Sequence, residues 1–404
     1  MTKQKVPKLR FPEFTGEWEE KKLGEIGVII SGLTYSPINV NENGILVLRS
    51  SNIQKRNLKF KDNVYVDKND FNPVKENDIL ICVRNGSKNL IGKSALITKE
   101  VEGVAFGAFM SIFRSSMNKF LFQFFDTKFY KKTVYKNLGA TINSINNSDL
   151  KKFKLSFPSL PEQEKIADFL TLFDKEIELE EKKLDLLKEN KKGYMQKIFS
   201  QELRFKDEFG NDYPQWEEKR LEKLFNFFKG QGLPKSQIEK DGKYKCIHYG
   251  ELFIKYKEQI KVIRSFTNNN NDKCCFSRKN DILMPTSDVT PNGLATASCV
   301  NEDDIILGGD ILIIRSKLTN VSGLFFSYYI SNNKKDIMKI VSGTTVYHLY
   351  ASDLKKLKIQ LPSLPEQEKI ANFLSTADEE IELMENKIEK LKEIKKGLLQ
   401  QMFI

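Results

Sequence analysis

Two short polar segments of this 404-residue chain contain side chains suited to reading the edges of DNA bases. Each follows an apolar run that opens with Asn-Asp-Ile-Leu, at Asn77 in one half and Asn280 in the other. The candidate side chains are Arg84, Asn85, Ser87, Lys88, Thr286 and Ser287. Arg pairs in a forked way with guanine, Asn pairs with adenine, and Ser or Thr bonds to either. We therefore predict base-contacting loops here, although surface turns without function have the same composition.

Further polar side chains near these segments could contact phosphates or bases. In the second half they occupy the segment from Gly343 to His348, where neutral hydrogen-bonding groups suit the DNA backbone. A turn that satisfies its own hydrogen bonds is the alternative interpretation. The additional candidates are Lys93, Thr141, Asn143, Thr344, Thr345, Tyr347 and His348.

The sequence contains no pattern of residues typical of an enzyme. The run from Gly86 to Ser94 resembles a phosphate loop, but it has five residues between its glycines where the motif has four, and it leads into a strand-like segment. There is no Gly-x-Ser-x-Gly elbow and no zinc-hydrolase His pair, and the chain has only two histidines. We expect a chain that binds without catalysing, with no metal and no cofactor of its own.

An internal duplication supplies the framework that positions these loops. The segment PSLPEQEKIADFL at Pro158 recurs as PSLPEQEKIANFL at Pro362, and roughly 27 of about 43 positions remain identical when the match is extended. Each half also opens with a repeated block, Leu-Arg-Phe at Leu9 and Leu203, followed by Trp-Glu-Glu-Lys. Between these blocks the halves diverge, so a repeated framework holds different contents.

Each repeated segment predicts a long helix with an apolar seam. Pro161 suits a first helical turn, and Ser159 and Glu162 have the spacing of a capping box. Downstream, apolar residues recur at alternating spacings of three and four, interrupted by polar Glu180, Lys191 and Lys395. The predicted seam and partner interface is Leu170, Phe173, Ile177, Leu184, Leu187, Leu374, Ile381, Met384, Ile388 and Leu391. Ordinary packing of each helix on its own domain is the alternative.

The divergent regions predict mixed α/β domains. Short β-rich runs, such as those at 44–48 and 78–83, precede helical patterns at Phe120 to Lys131 and Leu324 to Tyr329. We therefore predict an α/β (α+β) fold with a pseudo-two-fold internal repeat, in which two mixed α/β domains are separated by two long helices forming an antiparallel coiled coil. The predicted boundaries are 1–157, 158–200 for the first helix, 201–361, and 362–404 for the second helix.

Composition agrees with a polyanionic partner. The net charge of +11 favours a polyanion such as nucleic acid, because Lys and Arg near phosphates release condensed counterions. On charge alone, a basic soluble protein without such a partner is an equal alternative. Five cysteines form no CxxC pair and are expected to be reduced thiols. The N-terminus has no signal-peptide pattern and no run of about 18 apolar residues occurs, so we expect a cytoplasmic protein with no membrane partner.

The duplicated Leu-Pro-x-Leu-Pro-Glu-Gln-Glu-Lys-Ile-Ala block, the Trp-Glu-x-Lys-x-Leu block and the two divergent regions resemble the specificity subunit of a type I restriction-modification system. The resemblance implies that each divergent region is a target-recognition domain reading one half of a bipartite, asymmetric site in double-stranded DNA. It implies that the helices set the spacer between the half-sites and that two modification (methyltransferase) subunits dock around them.

Two restriction (endonuclease and translocase) subunits complete the implied complex. S-adenosylmethionine, ATP and Mg²⁺ are then expected on the partner subunits only. Since both helices are present, the sequence resembles a full-length subunit. The competing hypothesis is a coiled-coil structural adaptor without specific DNA binding.

Overall fold

The structure is a computed structural model that describes residues 6–139 and 143–404. The chain forms two compact units. Unit 1 comprises Met1–Lys182 and Asn386–Ile404, and unit 2 comprises Lys183–Glu385. Because the unit boundaries fall within the two long helices, each helix contributes one end to each unit. The four-part division expected from the sequence remains a prediction.

The strands of unit 1 are β1 (Glu19–Lys22), β2 (Val28–Ser31), β3 (Val40–Leu48), β4 (Ile53–Gln54), β5 (Asn57–Leu58), β6 (Tyr65–Val66), β7 (Ile79–Cys82), β8 (Ser94–Leu96), β9 (Ala105–Phe106), β10 (Met110–Arg114) and β11 (Lys154–Phe157). Its short helices are α1 (Leu23–Ile26), α2 (Asn118–Phe124), α3 (Lys128–Lys136) and α4 (Asn147–Lys151), with 3₁₀ turns at Pro37–Asn39, Ser50–Asn52, Lys88–Leu90 and Lys99–Val101. The first long helix, α5 (Leu160–Phe199), begins in unit 1 and ends in unit 2.

The strands of unit 2 are β12 (Glu217–Arg220), β13 (Phe225–Lys229), β14 (Tyr244–Ile247), β15 (Gln259–Ile260), β16 (Ser265–Thr267), β17 (Cys275–Phe276), β18 (Asp281–Pro285), β19 (Ser287–Asp288), β20 (Ser298–Val300), β21 (Ile306–Leu307), β22 (Ile311–Ser316), β23 (Tyr347–His348) and β24 (Lys358–Leu361). Its short helices are α6 (Leu221–Leu224), α7 (Glu251–Ile254), α8 (Pro291–Leu294), α9 (Gly323–Asn332), α10 (Lys334–Lys339) and α11 (Ala351–Leu354), with a 3₁₀ turn at Lys235–Gln237. The second long helix is α12 (Leu364–Met402).

The two units repeat one sheet arrangement. Unit 1 has a sheet in the order β2-β10-β7-β8, and unit 2 has the related order β13-β22-β18-β20-β15. A second sheet in each unit has the orders β6-β3-β9 and β16-β14-β21-β17. The repeated sequence blocks pair with each other, since β1 lies antiparallel to β11 and β12 antiparallel to β24. The mixed α/β fold with an internal repeat is therefore confirmed.

The Asn-Asp-Ile-Leu landmark fixes the central strand of each unit. Asn77 and Asn280 adopt positive φ values of 64° and 76°, a conformation that Asn tolerates better than most residues. In the first copy, the Asp78 carboxylate accepts two hydrogen bonds from Arg114 on β10, at 2.8 and 2.6 Å. Arg315 binds Asp281 at the same two distances in the second copy. The turn and this forked ion pair fix the beginning of β7 or β18, and the other end of the strand leads into the polar loop.

At the start of each long helix, the glutamate in the capping-box position forms an ion pair. Glu162 has the position of a capping-box residue, but its carboxylate accepts two hydrogen bonds from Arg10, at 2.8 and 2.7 Å. Arg204 binds Glu366 in the same way, at 3.1 and 2.8 Å. Both arginines belong to the repeated Leu-Arg-Phe block, so this block anchors the beginning of each long helix.

Each unit completes its core with one end of each long helix. In unit 1 the ring of Phe403 lies 6.5 Å from that of Trp18 and 5.2 Å from that of Phe120. In unit 2 the ring of Phe199 lies 5.6 Å from that of Phe325, which also contacts Trp216 at 6.2 Å. The start of one long helix and the end of the other therefore share a core within each unit. No helix in the described part of the chain is both long and apolar enough to cross a bilayer.

Candidate nucleic-acid interface

The polar loop of unit 1 begins at a backbone junction directly after β7. Val83 and Arg84 donate their backbone N–H groups to the carbonyl oxygen of Phe109, at 3.0 and 3.1 Å. Ile145 donates its N–H to the carbonyl oxygen of Val83 at 2.9 Å, and Arg84 forms an antiparallel bridge with Ser144. We call this junction of Val83, Arg84, Phe109, Ser144 and Ile145 platform 1.

Unit 2 forms the same junction after β18. Thr286 donates its N–H to the carbonyl oxygen of Asp310 at 2.9 Å, and Leu349 donates to the carbonyl oxygen of Thr286 at 3.0 Å. Ser287 pairs with His348 where β19 meets β23. We call this junction of Thr286, Ser287, Asp310, His348 and Leu349 platform 2. The structure thus brings together two groups of predicted residues that lie about sixty positions apart in each half of the sequence.

The platforms share a backbone and differ in their side chains. Arg84 and Ser287 occupy equivalent positions. Arg84 forms a bridge with Ser144, and Ser287 pairs with His348. Arg84 is exposed, and its guanidinium lies 5.6 Å from the centre of the Phe109 ring. Ser287 and His348 are half-buried. At this position one platform therefore presents a cation beside an aromatic ring, and the other presents a hydroxyl beside an imidazole.

The asparagines of the first loop hold its shape. The Asn85 amide donates to the hydroxyl of Ser50 at 3.0 Å, and the Asn85 side-chain oxygen accepts from the backbone N–H of Ser87 at 3.0 Å. The Asn143 amide donates to the carbonyl oxygen of Gly86 at 2.9 Å. Because these amides bind the protein itself, the exposed Arg84, Ser87 and Lys88 are the side chains best placed to meet a ligand.

The other candidates of unit 1 lie beside this loop or outside the described residues. The Lys88 ammonium lies 5.7 Å from the centre of the Tyr135 ring. Lys93 is half-buried just before β8, where its carbonyl oxygen accepts from the backbone N–H of Cys82 at 2.9 Å. Thr141 lies outside the residues that the structure describes.

A tight turn carries the remaining candidates of unit 2. Ser342 and His348 exchange backbone hydrogen bonds of 3.1 and 2.7 Å, which leaves Thr344 and Thr345 exposed between them. Gly343 has φ near 125° in this turn, a conformation that favours glycine. Tyr347 is half-buried and pairs with Asp288. The turn therefore projects two hydroxyl side chains beside platform 2.

A polar cleft that the sequence patterns do not predict adjoins platform 2 through Asp310. The cleft has a volume of about 540 Å³, and the Lys229 ammonium lies 3.7 Å from the Asp310 carboxylate on its wall. Its amide-bearing lining residues are Gln231, Gln237, Asn269 and Asn271. The Asn269 amide donates to the Gly232 carbonyl oxygen and to the Gln237 side-chain oxygen, at 2.6 and 2.7 Å, so these amides hold the shape of the cleft in the way that Asn85 and Asn143 hold the first loop. The run of four asparagines from Asn268 to Asn271 is the sequence signal that could have indicated it.

Burial shifts the pKa values of three thiols and one imidazole. Burial raises the pKa of the Cys82 thiol to about 11 and those of Cys246 and Cys299 to about 12. Burial lowers the pKa of His248, which lies half-buried in unit 2. Across residues 6–139 and 143–404, no group of three or more His, Cys, Asp and Glu side chains could hold a metal ion.

The predicted seam residues lie on the packed sides of the long helices to different degrees. Leu170, Leu374, Ile381 and Ile388 are buried. Those that are half-buried are Phe173, Ile177, Leu184, Leu187, Met384 and Leu391. Leu170 and Leu374 belong to the cores of the units, whereas Ile381 and Ile388 are buried towards the middle of α12.

The fold defines a class of proteins with a duplicated α/β domain, equivalent loop platforms and two long helices, and sequence comparison identifies the family. The type I restriction modification DNA specificity domain matches twice, over residues 15–189 and 213–393. The chain therefore belongs to this family and is a specificity subunit of the type I restriction-modification kind.

Individual relatives agree with this assignment. The putative type I restriction enzyme MjaX specificity subunit of Methanocaldococcus jannaschii is 27% identical over 417 residues, covering 97% of this chain and 94% of the relative. The EcoKI specificity subunit of Escherichia coli is 31% identical over 166 residues, covering 38% of this chain and 35% of the relative. The crystal structure of the type I S subunit from M. genitalium has the same fold, with a TM-score of 0.64 at 18% identity and 99% coverage of both chains.

Proposed function

We propose that this chain is the non-catalytic DNA-reading subunit of a type I restriction-modification complex. Platform 1 and platform 2 each read one half of a bipartite, asymmetric site in double-stranded DNA. The long helices set the spacer between the half-sites and dock the methyltransferase subunits. The observation that carries the proposal is the pair of equivalent backbone junctions with different side chains, such as Arg84 opposite Ser144 and Ser287 opposite His348.

The chemistry of the platforms supports different targets for the two halves. An exposed Arg can donate two parallel hydrogen bonds to guanine, whereas hydroxyl and amide groups accept and donate to adenine or thymine edges. Lys88 and the net charge of +11 suit phosphate contacts that position the subunit without selecting a sequence.

Membership of the family supports the partners in this proposal. A structure described as showing complex assembly and conformational transition of the type I restriction-modification system aligns with a TM-score of 0.54 over 95% of this chain. We propose that two modification and two restriction subunits join this chain. S-adenosylmethionine, ATP and Mg²⁺ then bind to those subunits, and this chain binds no cofactor.

The decisive experiment is selection from a random double-stranded DNA library by the full chain, alone and with its modification subunits. We expect a two-part motif with an unread spacer, and binding that weakens steeply as salt rises. Arg84→Ala should relax one half-site by roughly 1–3 kcal/mol at a single base pair and leave the other half-site unchanged. His348→Ala should affect only the second half-site.

Lys99→Ala is a matched control, because Lys99 is an exposed cation in the same unit on a 3₁₀ turn. This variant should keep the full motif. If the chain showed no salt-dependent DNA binding with or without its partner subunits, the structural-adaptor hypothesis would replace this one.

A further inference from the structure

The seams of the long helices contain a charged pair that both units repeat. In unit 1 the ammonium of Lys395, near the end of α12, contacts the carboxylate of Asp174 on α5. The Lys395 side chain is only 6% exposed. The buried amide of Gln123, on α2 of the recognition domain, donates to the same carboxylate at 2.8 Å.

Unit 2 has the same arrangement with the helices exchanged. Lys191, near the end of α5, donates to both oxygens of Asp378 on α12, at 2.7 and 2.8 Å. The hydroxyl of Tyr328, on α9 of the recognition domain, donates to Asp378 at 2.7 Å. Burial and the neighbouring Asp378 raise the pKa of Tyr328, so its hydroxyl keeps the proton that it donates. Each aspartate therefore joins the opposite long helix to the recognition domain of its own unit.

Such pairs select one alignment of the helices from several that apolar residues alone would accept. An apolar seam that repeats every seven residues also packs when one helix slides by a heptad. A slide of seven residues moves an ammonium about 10 Å along the axis, beyond reach of its carboxylate. The displaced ammonium would then be buried without a partner, which costs far more than an exposed charge. An alignment that satisfies both aspartates is consequently favoured over its neighbours.

We propose that the Asp174–Lys395 and Asp378–Lys191 pairs fix the antiparallel register of the two long helices, and that Gln123 and Tyr328 are positioning residues that tie each recognition domain to that register. The inference rests on the proposed function in one respect, namely that helix register governs the separation of the half-sites. The register itself is a property of the protein without DNA.

The test replaces both pairs by leucine in one variant, Asp174→Leu, Lys395→Leu, Asp378→Leu and Lys191→Leu. Buried ion pairs contribute little net stability against apolar residues, so we expect the Tm of this variant to be unchanged or higher. The register is measured by electron–electron distance spectroscopy between spin labels on cysteines at Leu172 and Ile394, both exposed in unit 1. Cys274 and Cys275, which are partly exposed, are changed to serine in all samples.

We expect one narrow distance distribution in the native seam and a broad or divided distribution in the leucine variant. A narrow distribution in the folded leucine variant would overturn the proposal. The matched control exchanges the exposed interhelical pair Lys188 and Glu385, which lies 2.6 Å apart with both side chains more than a third exposed. Exchange of this pair should leave the distribution unchanged.

A charge exchange keeps the proposal testable if the leucine variant does not fold. Lys395→Asp alone should lower the Tm, and Lys395→Asp combined with Asp174→Lys should recover at least half of that loss. No recovery would contradict a specific pairing. In DNA selection, the leucine variant should accept a wider range of spacers with unchanged half-sites. If the native chain bound no DNA while the distance result held, the function proposal would fail and the register proposal would stand.

Discussion

At the scale of single residues, the two halves have different side chains at positions where their backbones are equivalent. Arg84 and Ser287 follow equivalent strands and form equivalent bridges, yet one is a cation above Phe109 and the other is a small hydroxyl. The backbone hydrogen bonds of each platform do not involve these side chains. The side chains that a platform presents can therefore differ while its backbone hydrogen bonds stay the same.

Asp126 provides a residue-scale prediction about pH. Burial alone would raise the pKa of Asp126, but the charges of Arg56, Lys131 and Lys395 outweigh burial and lower it to about 2. A carboxylate with a lowered pKa stabilises the fold fully above its unfolded value near 3.8, and this contribution is lost as the pH falls towards 2. Asp126→Asn should lower the free energy of unfolding by about 2 kcal/mol at pH 6.

The measurement is urea unfolding of both proteins between pH 2 and pH 6. The difference between the native chain and Asp126→Asn should shrink between about pH 4 and pH 2. Asp70→Asn, at an exposed position in the same unit, is the control and should show little difference at any pH. A difference that stayed constant across this range would show that the charge of Asp126 is not its source.

Residue types and spacing predicted part of the candidate site. The polar loops after the Asn-Asp-Ile-Leu strands and the turn before His348 came from sequence, and the structure joins Ser287 to His348. The sequence does not predict Phe109 and Asp310 as parts of the platforms. These residues contribute backbone carbonyl groups, which a side-chain pattern does not reveal. The sequence predicts Asn85 and Asn143 as base contacts, whereas in the structure their amides donate to Ser50 and to the Gly86 carbonyl oxygen.

At the scale of elements, the long helices were predictable and their anchors were not. The apolar periodicity and the duplication indicate α5 and α12 to within a few residues. The ion pairs of Arg10 with Glu162 and Arg204 with Glu366 join residues more than 150 positions apart, so no local pattern contains them. The sequence shows that the Leu-Arg-Phe block is repeated, but it does not show that the arginine of this block pairs with a glutamate of the long helix.

The second anchor gives an element-scale prediction. Glu366 is fully buried, and it also accepts a hydrogen bond from the indole N–H of Trp216 at 3.1 Å. Glu366→Gln leaves the guanidinium of Arg204 without its charged partner, so we expect the free energy of unfolding to fall by about 3 kcal/mol. Asp212→Asn is the control, since Asp212 pairs with Lys206 at 3.8 Å in an exposed position and should change stability little. Chemical denaturation measures the free energy of unfolding of both variants. Equal losses would show that Glu366 contributes no more to stability than the exposed pair.

At the scale of the whole molecule, each compact unit takes residues from both long helices. The four-part order of domains and helices expected from the sequence stays a prediction. The long helices are shared because a helix with an apolar stripe on one side is stabilised by packing against a core and against another helix. Unit 1 therefore contains the far C-terminal residues Asn386–Ile404 beside its own domain.

This arrangement predicts how a change in the length of the long helices affects the DNA spacer. Removing one heptad from α5 alone, between Asp174 and Lys191, would leave one of the two Asp–Lys pairs out of register. A matched deletion of residues 177–183 and 381–387 keeps the heptad phase and preserves both pairs. Seven residues correspond to about 10 Å of helix, so the matched deletion should shorten the preferred DNA spacer by up to about three base pairs.

The half-site sequences should remain those of the native chain, because neither deletion touches a platform. The variant with the deletion from α5 alone should bind DNA more weakly and accept a broader range of spacers, because it loses one Asp–Lys pair. The measurement is the same DNA selection, scored for spacer length and for each half-site separately. If the matched deletion changed the half-site sequences and left the spacer constant, the helices would have to be regarded as part of base recognition and not as the element that separates two readers.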